Sequence, residues 1–86
     1  MSDSLPAPPA VQTADRAMEM LRVWLVDGDQ HMTITPNLWK DPGAWGLLLA
    51  DLAQNVANAY SKQGHNRDEV LARIRAAFDA EWNHPT

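Results

Sequence analysis

Asp27, Asp29 and His31 are three side chains with metal-ligand chemistry that lie close together in this 86-residue sequence. Carboxylate and imidazole groups together are reasonable ligands for a divalent metal ion. Their spacing is not that of a calcium loop, which needs a longer series of oxygen ligands ending in Glu. Asp is also common in turns for purely local reasons. We therefore predict a turn at this position and no metal site.

Nucleophilic and phosphate-binding chemistry has little support. Ser61 falls at the end of a predicted helix, without the sharp glycine-flanked turn that exposes a catalytic hydroxyl. Gly43 and Gly46 lack the Gly-Lys-Ser/Thr ending of a phosphate loop. His65 and His84 show no paired spacing on one helix, and the absence of cysteine removes disulfides and thiolate-rich zinc sites. We predict that the protein is not an enzyme and has neither catalytic residues nor a cofactor.

The charge balance and hydropathy bear on the class of partner. The net charge is −4, and the seven Lys and Arg residues are scattered among acidic ones, whereas nucleic-acid binding needs clustered cations. The longest apolar run, Leu47 to Ala50, is far shorter than the roughly 20 residues of a membrane span. The first residues, Met-Ser-Asp-Ser, do not resemble a signal peptide. These features predict a cytoplasmic protein that binds neither nucleic acid nor membrane.

The beginning of the chain differs in composition from the rest. Residues 1–14 contain Pro6, Pro8 and Pro9 among alanines and small polar residues. Because proline removes backbone donors and disfavours helix at the preceding residue, we predict an extended, disordered Pro/Ala-rich tail over 1–14. A polyproline ligand is the alternative interpretation of this segment. Residues 15–86 are predicted to form a single α+β domain.

A β-hairpin is predicted between Met18 and Pro36. Apolar residues alternate along both arms, and the turn signal contains Gly28, so a two-residue loop lies at Asp27-Gly28 or at Gly28-Asp29. Either loop sorts the side chains into the same two faces. The face assigned to the core carries Leu21, Val23, Leu25, Met32 and Ile34. The outer face carries Met20, Arg22, Trp24, Val26, His31, Thr33 and Thr35.

Two amphipathic helices follow the hairpin. Asp41 is the predicted N-cap of the first, with Pro42 at its first position, and Gly64 ends it. Asn66 caps the second, with Glu69 at the position of a capping-box acid. The apolar stripe of the first helix is Trp45, Leu48, Leu49, Leu52, Val56 and Tyr60. The stripe of the second is Val70, Leu71, Ile74, Ala77, Phe78 and Trp82.

The short link between the helices predicts an antiparallel pair. Packing of the β-hairpin on this pair gives a ββαα arrangement. Within it Trp45 and Trp82 are assigned to the core, and Trp39 is expected to cover one end of it.

The outer face of the hairpin suggests a partner, because it is too apolar to face water without a reason. A two-stranded hairpin is also marginal alone, with both edges open to pairing. We predict a homodimer in which two hairpins form one sheet or stack by their Trp24 faces. The candidate interface comprises Met20, Trp24, Val26 and His31.

Two functions follow from this architecture. The first is a non-enzymatic homodimeric protein-interaction module with an unidentified protein partner. The alternative is a small-molecule binding protein, with a pocket between hairpin and helices lined by Trp24, His31 and Trp39.

Several short segments carry a family resemblance. They are Arg22-Val23-Trp24-Leu25 with Asp27-Gly28, Trp39 with Asp41-Pro42, Ala44-Trp45-Gly46, and Asp51-Leu52-Ala53 through Ala59-Tyr60. The most specific is the run from Asp41 to Gly46, followed by the Leu-rich helix. Over about residues 18–82, without the proline-rich leader, the chain resembles a family of small bacterial proteins classed only as a domain of unknown function. The resemblance implies a bacterial setting and assigns no functional residue.

Overall fold

The computed structural model describes residues 3–85 and confirms the predicted order of a hairpin followed by two helices. Its elements are α1 (Pro9–Thr13), β1 (Leu21–Val26), β2 (Asp29–Ile34), α2 (Gly43–Ser61) and α3 (Arg67–Asn83). The fold is therefore α+β with a ββαα arrangement after α1. Contacts divide the chain into two compact units, one ending at Leu38 and the other beginning at Trp39.

The segment predicted to be an extended tail contains one turn of helix. In α1 the Val11 N–H donates to the Pro8 carbonyl at 3.0 Å, and the Ala14 N–H donates to Ala10 at 3.1 Å. The prediction of extended backbone is therefore wrong at Pro9–Thr13. Pro9 occupies the first helical position, where a missing N–H costs nothing. No residue of α1 is buried, so disorder of the tail stays a prediction. Residues 1, 2 and 86, which the predicted tail and domain include, lie outside the described residues.

The hairpin forms with the predicted sorting of faces. Val26 pairs with Asp29, so the loop is Asp27-Gly28, the first of the two predicted alternatives. Asp27 and Gly28 have φ angles of 51° and 87°, and positive φ at both positions is the mark of a type I′ turn, whose twist suits a two-residue hairpin. Leu21 pairs with Ile34 at the other end. Directly opposed residues share a face, so alternation places the predicted apolar set together.

The face assigned to the core is nevertheless exposed. Val23, Leu25, Met32 and Ile34 are 48%, 78%, 59% and 51% exposed, and Leu21 is half-buried. The prediction that these side chains form a buried core is therefore not met. Period-two alternation determines which side chains share a face of a strand, and it carries no information about what covers that face.

Helix α2 begins at a side-chain cap. The Asp41 carboxylate accepts a hydrogen bond from the Gly43 N–H at 2.8 Å, which satisfies one of the orphan donors of the first turn. The helix begins at Gly43, one residue later than predicted, so Pro42 and not Asp41 occupies the N-cap position. Asp41 nevertheless provides the side-chain acceptor for the first helical N–H. A side chain at Gly43 would bring its Cβ to 3.1 Å from the Asp41 carboxylate, so glycine leaves room for the cap.

Helix α3 turns back along α2. Gly64, at φ +96°, reverses the chain, and the Asn66 side chain accepts from the Glu69 N–H at 3.0 Å, as predicted for a cap. Arg67 then donates through Nε to the Asn58 side chain at 2.6 Å and through Nη2 to Gln54. Because a short link joins two helices in contact, they form an antiparallel pair.

The tryptophans assigned to the core are only partly buried. Trp45 is half-buried, with the Trp39 ring set edge-on at 5.1 Å. Trp82 is 72% exposed and stacks on Phe78 at 5.6 Å, so its assignment to the core is wrong. Among residues 3–85, Ala57 is the one hydrophobic residue that is fully buried.

We predict that Gly28→Ala and Gly46→Ala change the free energy of unfolding in opposite directions. A Cβ would meet nothing within 4 Å at either position, so backbone conformation decides the sign. At Gly28, with φ of +87°, alanine should cost about 1–2 kcal/mol. At Gly46, inside α2, alanine should add about 0.5–1 kcal/mol. Urea unfolding followed by circular dichroism measures both, and equal shifts would contradict the turn assignment.

Candidate functional site

The outer face of the hairpin brings together the predicted interface residues. Trp24 lies directly opposite His31, and Val26 lies opposite Asp29. The Met20 carbonyl accepts from the Thr35 N–H at 2.9 Å, which continues the ladder one step beyond the strands. Met20 and Trp24 are half-buried, whereas Val26 is 47% exposed and His31 is also exposed. This set is named the Trp24 face below, and its role as an interface stays a prediction.

The open end of the hairpin carries an ion pair that was not predicted from the sequence. Arg22 donates to both carboxylate oxygens of Glu19, at 2.6 and 2.8 Å. The hydrogen bond from Arg22 lowers the pKa of the Glu19 carboxyl below its usual value. Thr35 also donates its hydroxyl to the Glu19 carbonyl at 2.9 Å. Glu19 lies two residues before β1, and the opposite charges three residues apart are the signal in the sequence that could have indicated the pair.

A shallow hollow of ≈ 240 Å³ opens beside this ion pair. Its lining is Glu19, Met20, Leu21, Arg22, Thr33, Ile34 and Thr35. The carboxylate and the guanidinium in it already satisfy each other, so the hollow offers a ligand few unpaired polar groups. This arrangement braces the end of the hairpin, because it ties the segment before β1 to the residue after β2.

The turn residues considered as metal ligands have a structural role. Asp27 occupies the first loop position of the type I′ turn, with φ of 51°, a conformation that Asp tolerates better than most residues. Asp29 begins β2, opposite Val26. Within residues 3–85, no three His, Asp or Glu side chains are arranged to hold a metal ion.

The three residues of the predicted pocket fall into two sets. Trp24 and His31 share the Trp24 face of the hairpin. Trp39 belongs to the unit that contains the helices, where its ring contacts Trp45. None of the three lines the hollow at the hairpin or the groove of the helix pair described below.

The opposite face of the hairpin is the more exposed of its two faces. It carries four large apolar side chains, each about half exposed or more. We name it the ribbon surface: Val23, Leu25, Met32 and Ile34. Leu21 and Gln30 complete this face by their pairing with Ile34 and Leu25, and none of the six is charged.

The helix pair has an open apolar surface of its own. A groove of ≈ 370 Å³ runs between α2 and α3, with Val56, Tyr60, Val70 and Ile74 in its lining. Polar residues also line it: His65, Asn66, Glu69 and Arg73. The His65 ring lies edge-on to Tyr60 at 5.3 Å. Both kinds of side chain are therefore available to a partner along this groove.

The apolar surface extends past the groove toward the end of α3. Phe78 and Trp82 follow Ile74 at four-residue intervals, which places all three along one side of α3. Leu49 and Leu52 lie on the same stripe of α2 as Val56 and Tyr60. We name the exposed set the helix surface: Leu49, Leu52, Val56, Tyr60, Phe78 and Trp82, which are 36% to 72% exposed. The sequence identified these stripes and assigned them to a core.

No helix within residues 3–85 has the length and apolar character needed to cross a bilayer. That the protein does not bind membranes stays a prediction.

Comparison with known proteins finds a solved bacterial structure that is similar to this chain. A search of curated proteins finds no match. A protein of the photosynthetic bacterium Rhodopseudomonas palustrus CGA009, provisionally named a pyruvate dehydrogenase, is 36% identical with a TM-score of 0.80. The match covers 100% of this chain and 89% of that one.

A family match covers nearly the whole chain and includes most of the proline-rich leader, so the prediction that the leader lies outside the family is wrong. The leader segment is therefore part of the family pattern from residue 4 onward. By this match over residues 4–86, the chain belongs to the family described as Domain of unknown function (DUF5076).

Proposed function

We propose that this protein is a non-enzymatic homodimeric protein-interaction module of the bacterial cytoplasm. The observation that supports it is the exposure of apolar side chains on both faces of a two-stranded hairpin. Leu25 is 78% exposed on one face and Val26 is 47% exposed on the other. A bacterial setting is supported by the 36% identical relative from Rhodopseudomonas palustrus.

The energetics of the hairpin favour a partner. An isolated two-stranded hairpin is marginal in water and needs further strands or a packed layer. Burial of a large apolar side chain contributes about 1.5–3 kcal/mol relative to full exposure. Four such side chains on the ribbon surface are half exposed or more, so a partner that covers them would supply several kcal/mol.

The Trp24 face and the free strand edges are the proposed contacts between hairpins of two copies. Aromatic residues and Met are enriched at protein interfaces, while charged residues are depleted. Trp24, Met20 and Val26 fit that composition, and His31 lies across the strands from Trp24. In the described residues the sheet has two strands, so each strand keeps one edge able to pair with a second hairpin.

Neither open surface within residues 3–85 has the geometry of a small-substrate site. Sites for small substrates are concave and combine an apolar wall with a few convergent polar groups. The hollow at the hairpin and the groove of the helix pair are open, and the charged groups of the hollow are paired with each other. Apolar surfaces of this shape suit another protein better than a small oxo acid.

We expect Trp24→Lys to convert the dimer into a monomer or to cause aggregation, because a charge would be buried in the interface. Light scattering at tens of micromolar should give twice the 9.6 kDa chain mass for the unaltered protein. Trp24→Phe should retain the dimer, and Gln63→Lys in the helix link supplies a matched charge control. A monomeric unaltered protein would contradict the proposal. An unchanged mass and melting temperature in Trp24→Lys would contradict the assigned face.

We expect no saturable effect of pyruvate on the melting temperature of the purified protein at millimolar concentration. A ligand that binds only the folded state raises stability by mass action, about 2.7 kcal/mol at 100 times its dissociation constant. A pyruvate-dependent rise that saturates would favour the small-molecule alternative. Chloride at equal ionic strength is the control.

A further inference from the structure

We infer that the ribbon surface of one copy packs on the helix surface of a second copy, and that the ribbon surface of the second copy packs on the helix surface of the first. We call this pair of contacts the reciprocal exchange. This inference rests on the homodimer proposed above and identifies a contact within it. It leaves the Trp24 face and the strand edges for the contact between the two hairpins. The occupant of each open apolar surface is thus the other surface, supplied by the second copy.

Both surfaces are open, and both belong to the same chain. Leu25 and Met32 of the ribbon surface are 78% and 59% exposed. Trp82 and Leu52 of the helix surface are 72% and 48% exposed. Exposed apolar sets of this extent are unusual on a protein that works alone.

The two surfaces match in length. Each strand of the hairpin has six residues, which at about 3.3 Å per residue span roughly 20 Å. The stripe of α2 from Leu49 to Tyr60 covers twelve positions, which at 1.5 Å per residue span about 17 Å. A two-stranded ribbon laid along a helix pair is also the usual layer arrangement of an α+β domain.

The exposed apolar area indicates whether one of these surfaces, or both together, is large enough for a stable interface. With about 150–250 Å² for a large side chain, the exposed fractions give roughly 400 Å² for the ribbon surface and roughly 600 Å² for the helix surface. A stable interface buries about 800 Å² on each partner. Neither surface reaches that area alone, whereas a reciprocal exchange uses both and can bury up to roughly 1,000 Å² on each partner.

Symmetry and charge are consistent with the exchange. A twofold axis makes the ribbon-to-helix contact occur twice and closes the assembly, so no apolar surface remains to extend a filament. The hairpin face that would be covered carries no charged side chain, and its one polar member is Gln30. No ionised group on that face loses its hydration, a loss that would cost several kcal/mol.

The absence of native cysteine makes disulfide trapping a clean test. Chains with Leu25→Cys and chains with Leu52→Cys, distinguished by a mass tag on one of them, are mixed and equilibrated in a glutathione redox buffer. The exchange predicts a covalent heterodimer of the two chains. The control replaces Leu52→Cys by Leu47→Cys, which is 71% exposed on a different side of α2. We expect at least a fivefold excess of the first heterodimer over the control.

The outcomes separate this inference from the proposed dimer. Equal yields from Leu52→Cys and Leu47→Cys, with dimer mass in light scattering, would overturn the exchange and leave the homodimer. An intrachain disulfide in a chain that carries both Leu25→Cys and Leu52→Cys, without the mixed heterodimer from the single variants, would show that the surfaces meet within one chain and would also overturn the exchange. A monomer would overturn both proposals. If Leu25→Cys loses its helical circular dichroism, the pair Met32→Cys and Val56→Cys makes the same test.

Discussion

A two-stranded hairpin has no interior, and this constraint governs the rest of the structure. Six paired positions give two faces, and each face needs a covering layer if its side chains are apolar. Here both faces carry large apolar side chains, from Leu25 on the ribbon surface to Trp24 and Val26 opposite. Covering one face leaves the other open. A second copy can cover both, which is why assembly is central to our account.

The local structure is held mainly by polar interactions at element ends. The type I′ turn sets the hairpin register, Asp41 and Asn66 cap the two long helices, and Arg67 ties α3 to side chains of α2. These hydrogen bonds are exposed, and each contributes modestly to the free energy of unfolding because water competes for the same groups. They determine where elements begin and which way they run. They do not supply the burial that stabilises a folded domain.

Close approach of the helices depends on small side chains. Ala57 is fully buried and Ala53 is half-buried on α2, which allows a neighbouring helix to approach. The larger members of the α2 stripe, such as Leu52 and Val56, remain at least one-third exposed. The helix pair thus buries its small residues and leaves its large ones available. Burial of the large residues is where further stabilisation would come from.

Features that depend on neighbouring residues were predictable from the sequence, and features that depend on distant contacts were not. Turn, caps and facial alternation were predicted because they depend on residues within a few positions, such as Gly28, Asp41 and Asn66. The exposure of Leu25 and Trp82 was not predicted, because a periodic pattern identifies an apolar face without identifying what covers it. The Glu19–Arg22 pair and the Arg67 contacts were not predicted, because they depend on side-chain conformation and helix packing, which residue type and periodicity do not specify. The same holds for the candidate site: the sequence predicts which residues share the Trp24 face, but it does not identify what covers that face.

The most direct test of the account is the concentration dependence of thermal unfolding. If association buries the ribbon and helix surfaces, the melting temperature rises with protein concentration by mass action. Between 1 and 100 μM we predict a rise of several degrees, with the helical circular dichroism and the Trp fluorescence changing together. A melting temperature that stays constant over this range, for a protein that is folded and monomeric throughout, would contradict the account.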